Sequence, residues 1–235
     1  MRSILSMLIC SILSVFLLYL SPNHYTSAAP IKNAEITAKQ YQHNSHLTYP
    51  YVSGLTNKMA EKKINAVLTK HIKKSAANYK ALMQEMKNMQ NKTICKESPS
   101  ACTYEYTTSY EEKYNQYNKL SLLVYDYQFT GGAHGSTTVT SYNFDLKTGQ
   151  LYTLDNLFPN QKVYTKVTEY AKNYMLKKPD IFYPDSKDFS SFQITSQTQF
   201  YFAEKGIFLI FQQYEVGPYV SGNPTIFIPE SLYKL

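Results

Sequence analysis

Residues 104–146 read YEYTTSYEEKYNQYNKLSLLVYDYQFTGGAHGSTTVTSYNFDL, and their period decides the fold. Tyr104, Tyr106, Thr108 and Tyr110 alternate with Glu105, Thr107 and Ser109. A period of two sends successive side chains to opposite faces, so this is a half-buried strand whose aromatic face packs. Asn115 and Asn118 flank a turn, and residues 120–129, LSLLVYDYQF, form a second strand. Gly131 and Gly132 break the chain before a third strand at about 137–146. Lys147-Thr148-Gly149 then reads as a hairpin turn, with Gly149 free to take a positive φ.

Upstream the period becomes helical. Between Thr56 and about Met89, residues including Ile64, Leu68, Ile72, Tyr79, Leu82 and Met86 recur at steps of three and four. Lys62, Lys63, Lys70, Lys73, Lys74, Lys80 and Lys87 fall on the other side. This is a surface helix with one apolar stripe, and its lysines read as a solvated face or as a contact for an anionic polymer. Residues 34–48 read as extended with poor alternation; Tyr49-Pro50 blocks helix and Ser53-Gly54 makes a turn. Downstream, a second helix spans about 163–177 and ends at Pro179. Strands follow at 200–203 and 207–211 around Glu204-Lys205-Gly206, and a last one at 225–228. The run 207–211 is apolar on both faces, as a central strand requires.

These elements predict an α+β fold, a mostly antiparallel sheet with two main helices. An N-terminal subdomain, residues 30–135, carries the long helix and the Tyr-rich strands. A C-terminal subdomain, residues 136–235, is expected to pack with it as one unit.

The N-terminus reads as a secretory signal over residues 1–28. Arg2 precedes an apolar run at 4–20, helix breakers stand at Ser21 and Pro22, and small residues at Ser27, Ala28 and Ala29 offer a cleavage site. Cleavage after Ala28 avoids leaving Pro30 at the new terminus, and an uncleaved anchor is the rival reading. The expected location is secreted or extracytoplasmic, cell-wall associated or free, with no stable membrane span after cleavage. The formal charge of +7 becomes +6 without Arg2 and favours anionic polymers. No nucleic-acid motif is present. The 23 Tyr and 12 Phe, with no Trp, suit strands that bury a ring and leave a hydroxyl wet, and they also suit sugar stacking. Cys95 and Cys102, with six residues between them across a turn, are expected to form a disulfide in an oxidising compartment.

The densest special segment is Gly131-Gly132-Ala133-His134-Gly135. Its glycines let a ligand or another segment approach the backbone, so Gly131, Gly132, His134 and Gly135 are the candidate binding residues. His134 reads as an anchor, a general base or a structural corner residue. The segment lacks the Lys-Ser/Thr ending of a phosphate loop, and no nucleophile elbow occurs. His43 and His46 lie three apart in an extended segment and point to opposite faces, while His71 reads as a structural residue on the flank of the helix. No metal site and no cofactor are expected. Asp126, Asp145, Asp155, Asp185, Asp188, Glu204 and Glu215 could supply the carboxylate pair of a glycosidase, but sequence does not pair them. Asp145 reads as a turn cap.

The runs at 47–68, 125–135 (YDYQFTGGAHG), 142–158 (YNFDLKTGQLYTLDNLF) and 214–232 resemble a family of bacterial extracytoplasmic domains. That family includes the lysozyme-sensing ectodomain of the anti-sigma-V factor and the non-catalytic module of a peptidoglycan deacetylase. The resemblance implies an α+β ectodomain at a Gram-positive cell wall. This sequence shows neither a sigma-binding segment before its apolar run nor a deacetylase domain after it, so neither activity is expected. The expectation is a secreted, non-catalytic binding domain for peptidoglycan, an anionic wall polymer or a wall-active protein such as lysozyme. The alternative is a carbohydrate-active hydrolase acting on wall or plant-type polysaccharide.

Overall fold

A computed structural model describes residues 34–90 and 92–234; the signal-peptide reading of residues 1–28 lies outside them. The fold is α+β, with three antiparallel sheets and few helices. Strands β1 (Glu35–Gln40) and β2 (Thr48–Ser53) pair with each other. Helix α1 (Lys58–Met89) follows, and then a short α2 (Thr93–Glu97). Strands β3 (Glu105–Gln116), β4 (Lys119–Phe129) and β5 (Ser136–Asp145) form a meander in that order. Helix α3 (Gln161–Leu176) precedes the third sheet, ordered β6 (Phe200–Ala203), β7 (Gly206–Ile210) and β8 (Thr225–Pro229). The double-sided apolar strand β7 lies at the centre of its sheet.

Local chemistry fixes the ends of these elements. Asn57 caps α1, its side chain accepting from the backbone N–H groups of Met59 and Ala60 at 3.0 and 3.2 Å. Tyr117 and Asn118, both at positive φ, close the β3–β4 hairpin. That strand thus continues six residues beyond Tyr110, through an irregularity at Lys113. Asp145 caps the 147–149 turn, accepting from the N–H groups of Lys147 and Thr148 at 2.8 Å each, and Gly149 has φ +73.

Two expectations need correction. Pro50 lies inside a strand rather than merely blocking a helix: β2 pairs with β1 alone, and at such an edge a residue without an N–H is tolerated. The segment between the cysteines is α2 followed by a 3₁₀ turn at Pro99–Cys102, not a simple turn. It still brings the two Cα atoms to 5.5 Å, and the Cys95–Cys102 disulfide is formed.

The core is layered because β4 is buried on both faces. Leu120 and Leu122 pack with Phe144 against Ile64 and Leu68 of α1. Leu123, pointing the other way, packs with Val139, Tyr201 and Ile210 and joins the middle and third sheets. Beyond the third sheet, Val163, Val167, Ala171 and Met175 of α3 cover Phe202, Ile207 and Ile228. A buried polar link crosses between the sheets. Ser121 Oγ donates to Asn143 Oδ1 (2.6 Å), Asn143 Nδ2 donates to the Phe200 carbonyl (2.7 Å), and the Phe202 N–H donates back to Ser121 Oγ (2.9 Å). The outer edge of β5 is closed by glutamine side chains. Gln213, Gln212 and Gln199 accept from the N–H groups of Thr137, Val139 and Ser141, at 2.8, 3.0 and 2.6 Å. The described residues fall in one compact unit.

Candidate functional site

On the α1 side of the middle sheet, even-numbered positions of β4 change character along the strand. Leu120 and Leu122 are core, whereas Asp126 and Gln128 face a groove, opposite Thr138 and Ser136 of β5. The groove begins where the core stops. Its volume is about 900 Å³, and it is walled by α1, by β4 and β5, and by the 130–136 and 213–219 loops.

Asp126 organises one end. Its Oδ1 accepts from Ser75 Oγ at 2.5 Å and from the Tyr106 hydroxyl at 2.6 Å. Its Oδ2 lies 2.9 Å from His71 Nε2, and His71 Nδ1 lies 2.9 Å from the Tyr142 hydroxyl. A carboxylate cannot donate, so Nε2 carries the proton, and in the neutral ring Nδ1 accepts from Tyr142. Burial pushes the Asp126 carboxyl up, but the hydrogen bonds from His71, Ser75 and Tyr106 outweigh it and hold the group below its ordinary value. Burial, reinforced by the Asp126 charge, pushes the Tyr142 hydroxyl up to about 12. Burial and the hydrogen bond to Asp126 do the same for Tyr106. Both phenols are therefore neutral donors at neutral pH and not nucleophiles. Ser75 bonds Asp126 and its own helix carbonyl at His71, not the imidazole, so no serine–histidine pair is assembled.

The other end is aromatic. His134 stacks on Tyr219, with ring centroids 3.9 Å apart and planes 21° apart, and Tyr214 lies 5.8 Å from Tyr219. His134 Nδ1 is 3.0 Å from the Gly135 carbonyl, which fixes its proton on that nitrogen. Lys70 and Lys74, exposed and one turn apart on α1, also line the groove.

Among the residues singled out from sequence, His134 and Gly135 line the groove. Gly131, at φ +83, packs on the cysteine loop, where a Cβ would stand 2.4 Å from the Ala101 carbonyl oxygen. Gly132, at φ +96, faces open space. The 131–135 segment is thus partly a rim and partly a support. His46 stacks on Tyr79, and His43 lies in a 3₁₀ turn, Tyr41–His43, rather than in extended chain. Of the candidate carboxylates whose side chains are described, Asp126 is the one that reaches the groove. Asp145 caps its turn, Asp155 accepts from the Tyr164 hydroxyl (2.7 Å), and Glu215 accepts from the Gln212 N–H (2.7 Å). No group of three or more His, Cys, Asp or Glu side chains among the described residues is placed to hold a metal ion. Nor is any helix there long and apolar enough to cross a membrane.

Sequence reasoning read His71 as a structural residue and passed over Tyr142, Tyr214 and Tyr219. One signal was available: Asp126 shares the parity of Leu120 and Leu122, which places a charge on a core face and demands a partner.

Residues 36–137 match the family described as Deacetylase PdaC, and residues 155–231 match the family of unknown function DUF3298. Peptidoglycan-N-acetylmuramic acid deacetylase PdaC of Bacillus subtilis (strain 168) is 27% identical over 118 residues. That match covers 49% of this chain and 25% of the deacetylase, so the chain spans only a quarter of that protein's length. A solved DUF3298 family member from Bacteroides fragilis NCTC 9343 superposes with a TM-score of 0.55 at 17% identity, covering 86% of this chain and 90% of that one. A DUF3298 family protein from Pseudomonas aeruginosa PAO1 aligns with a TM-score of 0.49 at 15% identity, with the same coverage. The chain is therefore PdaC-like over residues 36–137 and DUF3298-like over residues 155–231, on a fold it shares with a solved DUF3298 protein.

Proposed function

We propose that this protein is a non-catalytic binding module of the cell envelope and that the groove takes a glycan chain of peptidoglycan. The observation that carries the reading is the state of Asp126, the only carboxylate on the groove wall among the described residues, whose two oxygens are committed to Ser75, Tyr106 and His71. Glycoside hydrolysis needs two carboxylates flanking the scissile bond, one to protonate and one to attack or activate water. Here one is present, held ionised and occupied. What remains is suited to binding: neutral hydroxyl and amide groups on the strands, and flat rings at His134 and Tyr219 for stacking. The resemblance to a protein whose name places its action on peptidoglycan supports this ligand and an extracytoplasmic location.

Titration of the full chain with soluble peptidoglycan strands, followed by tyrosine fluorescence and by NMR, tests the reading. Saturable binding with shifts at His134 and Tyr219, weakened about tenfold by Tyr219→Ala and without strand cleavage, is expected. Strand cleavage abolished by Asp126→Asn would make the protein a hydrolase. Binding to lysozyme in place of glycan would make its partner a protein.

A further inference from the structure

The charge of this protein is unevenly placed. Helix α1 carries eight lysines against two glutamates, an excess close to the +7 of the entire sequence. One glutamate, Glu61, is already paired with Lys58 at 3.0 Å. Lys70 and Lys74 stand at the groove, and among the described residues neither has an ion-pair partner. Among the described residues, the groove offsets them only in part. The one carboxylate there among the described residues, Asp126, has its oxygens taken up by Ser75, Tyr106 and His71, and Gln128, Thr138 and Thr140 are uncharged. A cleft with two unpaired lysines against one hydrogen-bonded carboxylate, and with low-dielectric walls, keeps a net positive potential. Such a cleft discriminates for a ligand that brings the missing negative charge.

We propose that the ligand of this groove is an acidic glycan whose anionic group is held by Lys70 and Lys74. The inference rests on the glycan reading given above and adds its chemical class. His134, Tyr214 and Tyr219 take the sugar faces at one end, and the lysines take the acid substituent along the α1 wall. The volume of about 900 Å³ lies at the upper end of the range for ligand pockets, so ring and substituent fit together. The shared chemistry is an anionic oxygen group, either a carboxylate borne by a sugar or a phosphodiester between sugars or polyols.

The test is calorimetric titration of the full chain with peptide-free peptidoglycan strands. One batch keeps its lactyl carboxylates, and in the other they are converted to neutral amides. Native strands are expected to bind roughly tenfold more tightly than amidated ones, with an advantage that shrinks as salt is raised. Lys70→Gln/Lys74→Gln keeps good helix formers on an exposed face, so the fold persists. It should erase the difference between the two batches by lowering the affinity for native strands. Poly(glycerol phosphate) serves as the second arm. Competition that requires the two lysines assigns the anion to phosphate, and absence of competition assigns it to carboxylate. Equal affinity for native and amidated strands, or wild-type affinity of the double variant for native strands, overturns the inference and leaves the glycan reading standing. Failure of every strand to bind overturns the glycan reading itself.

Discussion

Asp126 on β4 collects hydrogen bonds from His71 and Ser75 on α1 and from Tyr106 on β3, so three elements converge on one carboxylate. Removing it in Asp126→Ala strands two hydroxyls and an imidazole N–H at the edge of the core. Equilibrium denaturation should show a loss of about 2–4 kcal/mol, the cost of unmet polar groups that water at the groove only partly rescues. The same residue sets a pH dependence. Its carboxyl is held below the ordinary value in the folded state, so the unfolded chain binds the proton first as pH falls. The stabilisation is therefore complete above about pH 4 and is lost as pH drops through the lower folded value. Urea midpoints measured from pH 6 to pH 2 should fall less steeply for Asp126→Asn than for the wild type. A residual slope is expected from Asp145, which is also held low: burial raises it, but the Thr148 and Lys147 N–H groups prevail. An unchanged slope in the variant would remove the network from the acid response. The turn role of Asp145 was legible in sequence because its partners lie two and three residues away. The role of Asp126 was not, since its partners are 20 to 55 residues distant.

At the scale of elements, the cysteine loop and the 131–135 corner form one structure. The disulfide closes a short loop whose reduction should cost roughly 2–3 kcal/mol. That loop presents the Ala101 carbonyl to Gly131, leaving no room for a Cβ at a φ of +83. Gly131→Ala should therefore destabilise the fold by about 2 kcal/mol through backbone strain and displacement of the loop. Gly132→Ala meets open space and suffers only the conformational cost of its positive φ. Thermal melts of the two variants, with and without reductant, check the ordering. If reduction abolishes the difference between Gly131→Ala and the wild type, the clash is with the loop as placed by the disulfide. A loss at Gly132 as large as at Gly131 would contradict this account. The glycines were visible in sequence as permissive positions, but which of them faces a neighbour depends on where residue 101 lies. The periods of α1 and of β3 to β5 were readable for the opposite reason: a one-sided core writes a local repeat. Strand β2 escaped because Pro50 is a breaker except at an edge, and an edge is a property of the sheet.

For the whole molecule, the decisive feature is that the chain before residue 154 and the chain after it complete each other. Val139 and Leu123 from the first three-stranded meander share a core with Tyr201 and Ile210 of the last sheet. The Ser121–Asn143 pair bonds the backbone of β6, and Ser141 Oγ donates to the Phe200 carbonyl. The glutamines from the second half take the N–H groups of β5 that would otherwise form an open edge. Cutting the chain near residue 154 would expose the Leu123 and Val139 face and bare the β5 edge at once. Exposed apolar surface and unpaired strand edges are what drive chains to associate. A fragment comprising residues 34–154 should accordingly fail to give a cooperative melt and should aggregate, whereas the full chain should unfold in a single transition with calorimetric and van't Hoff enthalpies in agreement. Asn143→Ala, which removes one buried node of the link, should lower stability by about 2–4 kcal/mol without splitting that transition. A soluble 34–154 fragment with a sharp melt of its own would mean that the glutamine and Asn143 contacts join two independent domains. The groove draws one wall from β4 and β5 and another from the 213–219 loop, so the two outcomes also differ in function. If the halves need each other to fold, no fragment retains ligand binding; if they do not, each half should bind weakly through its own wall.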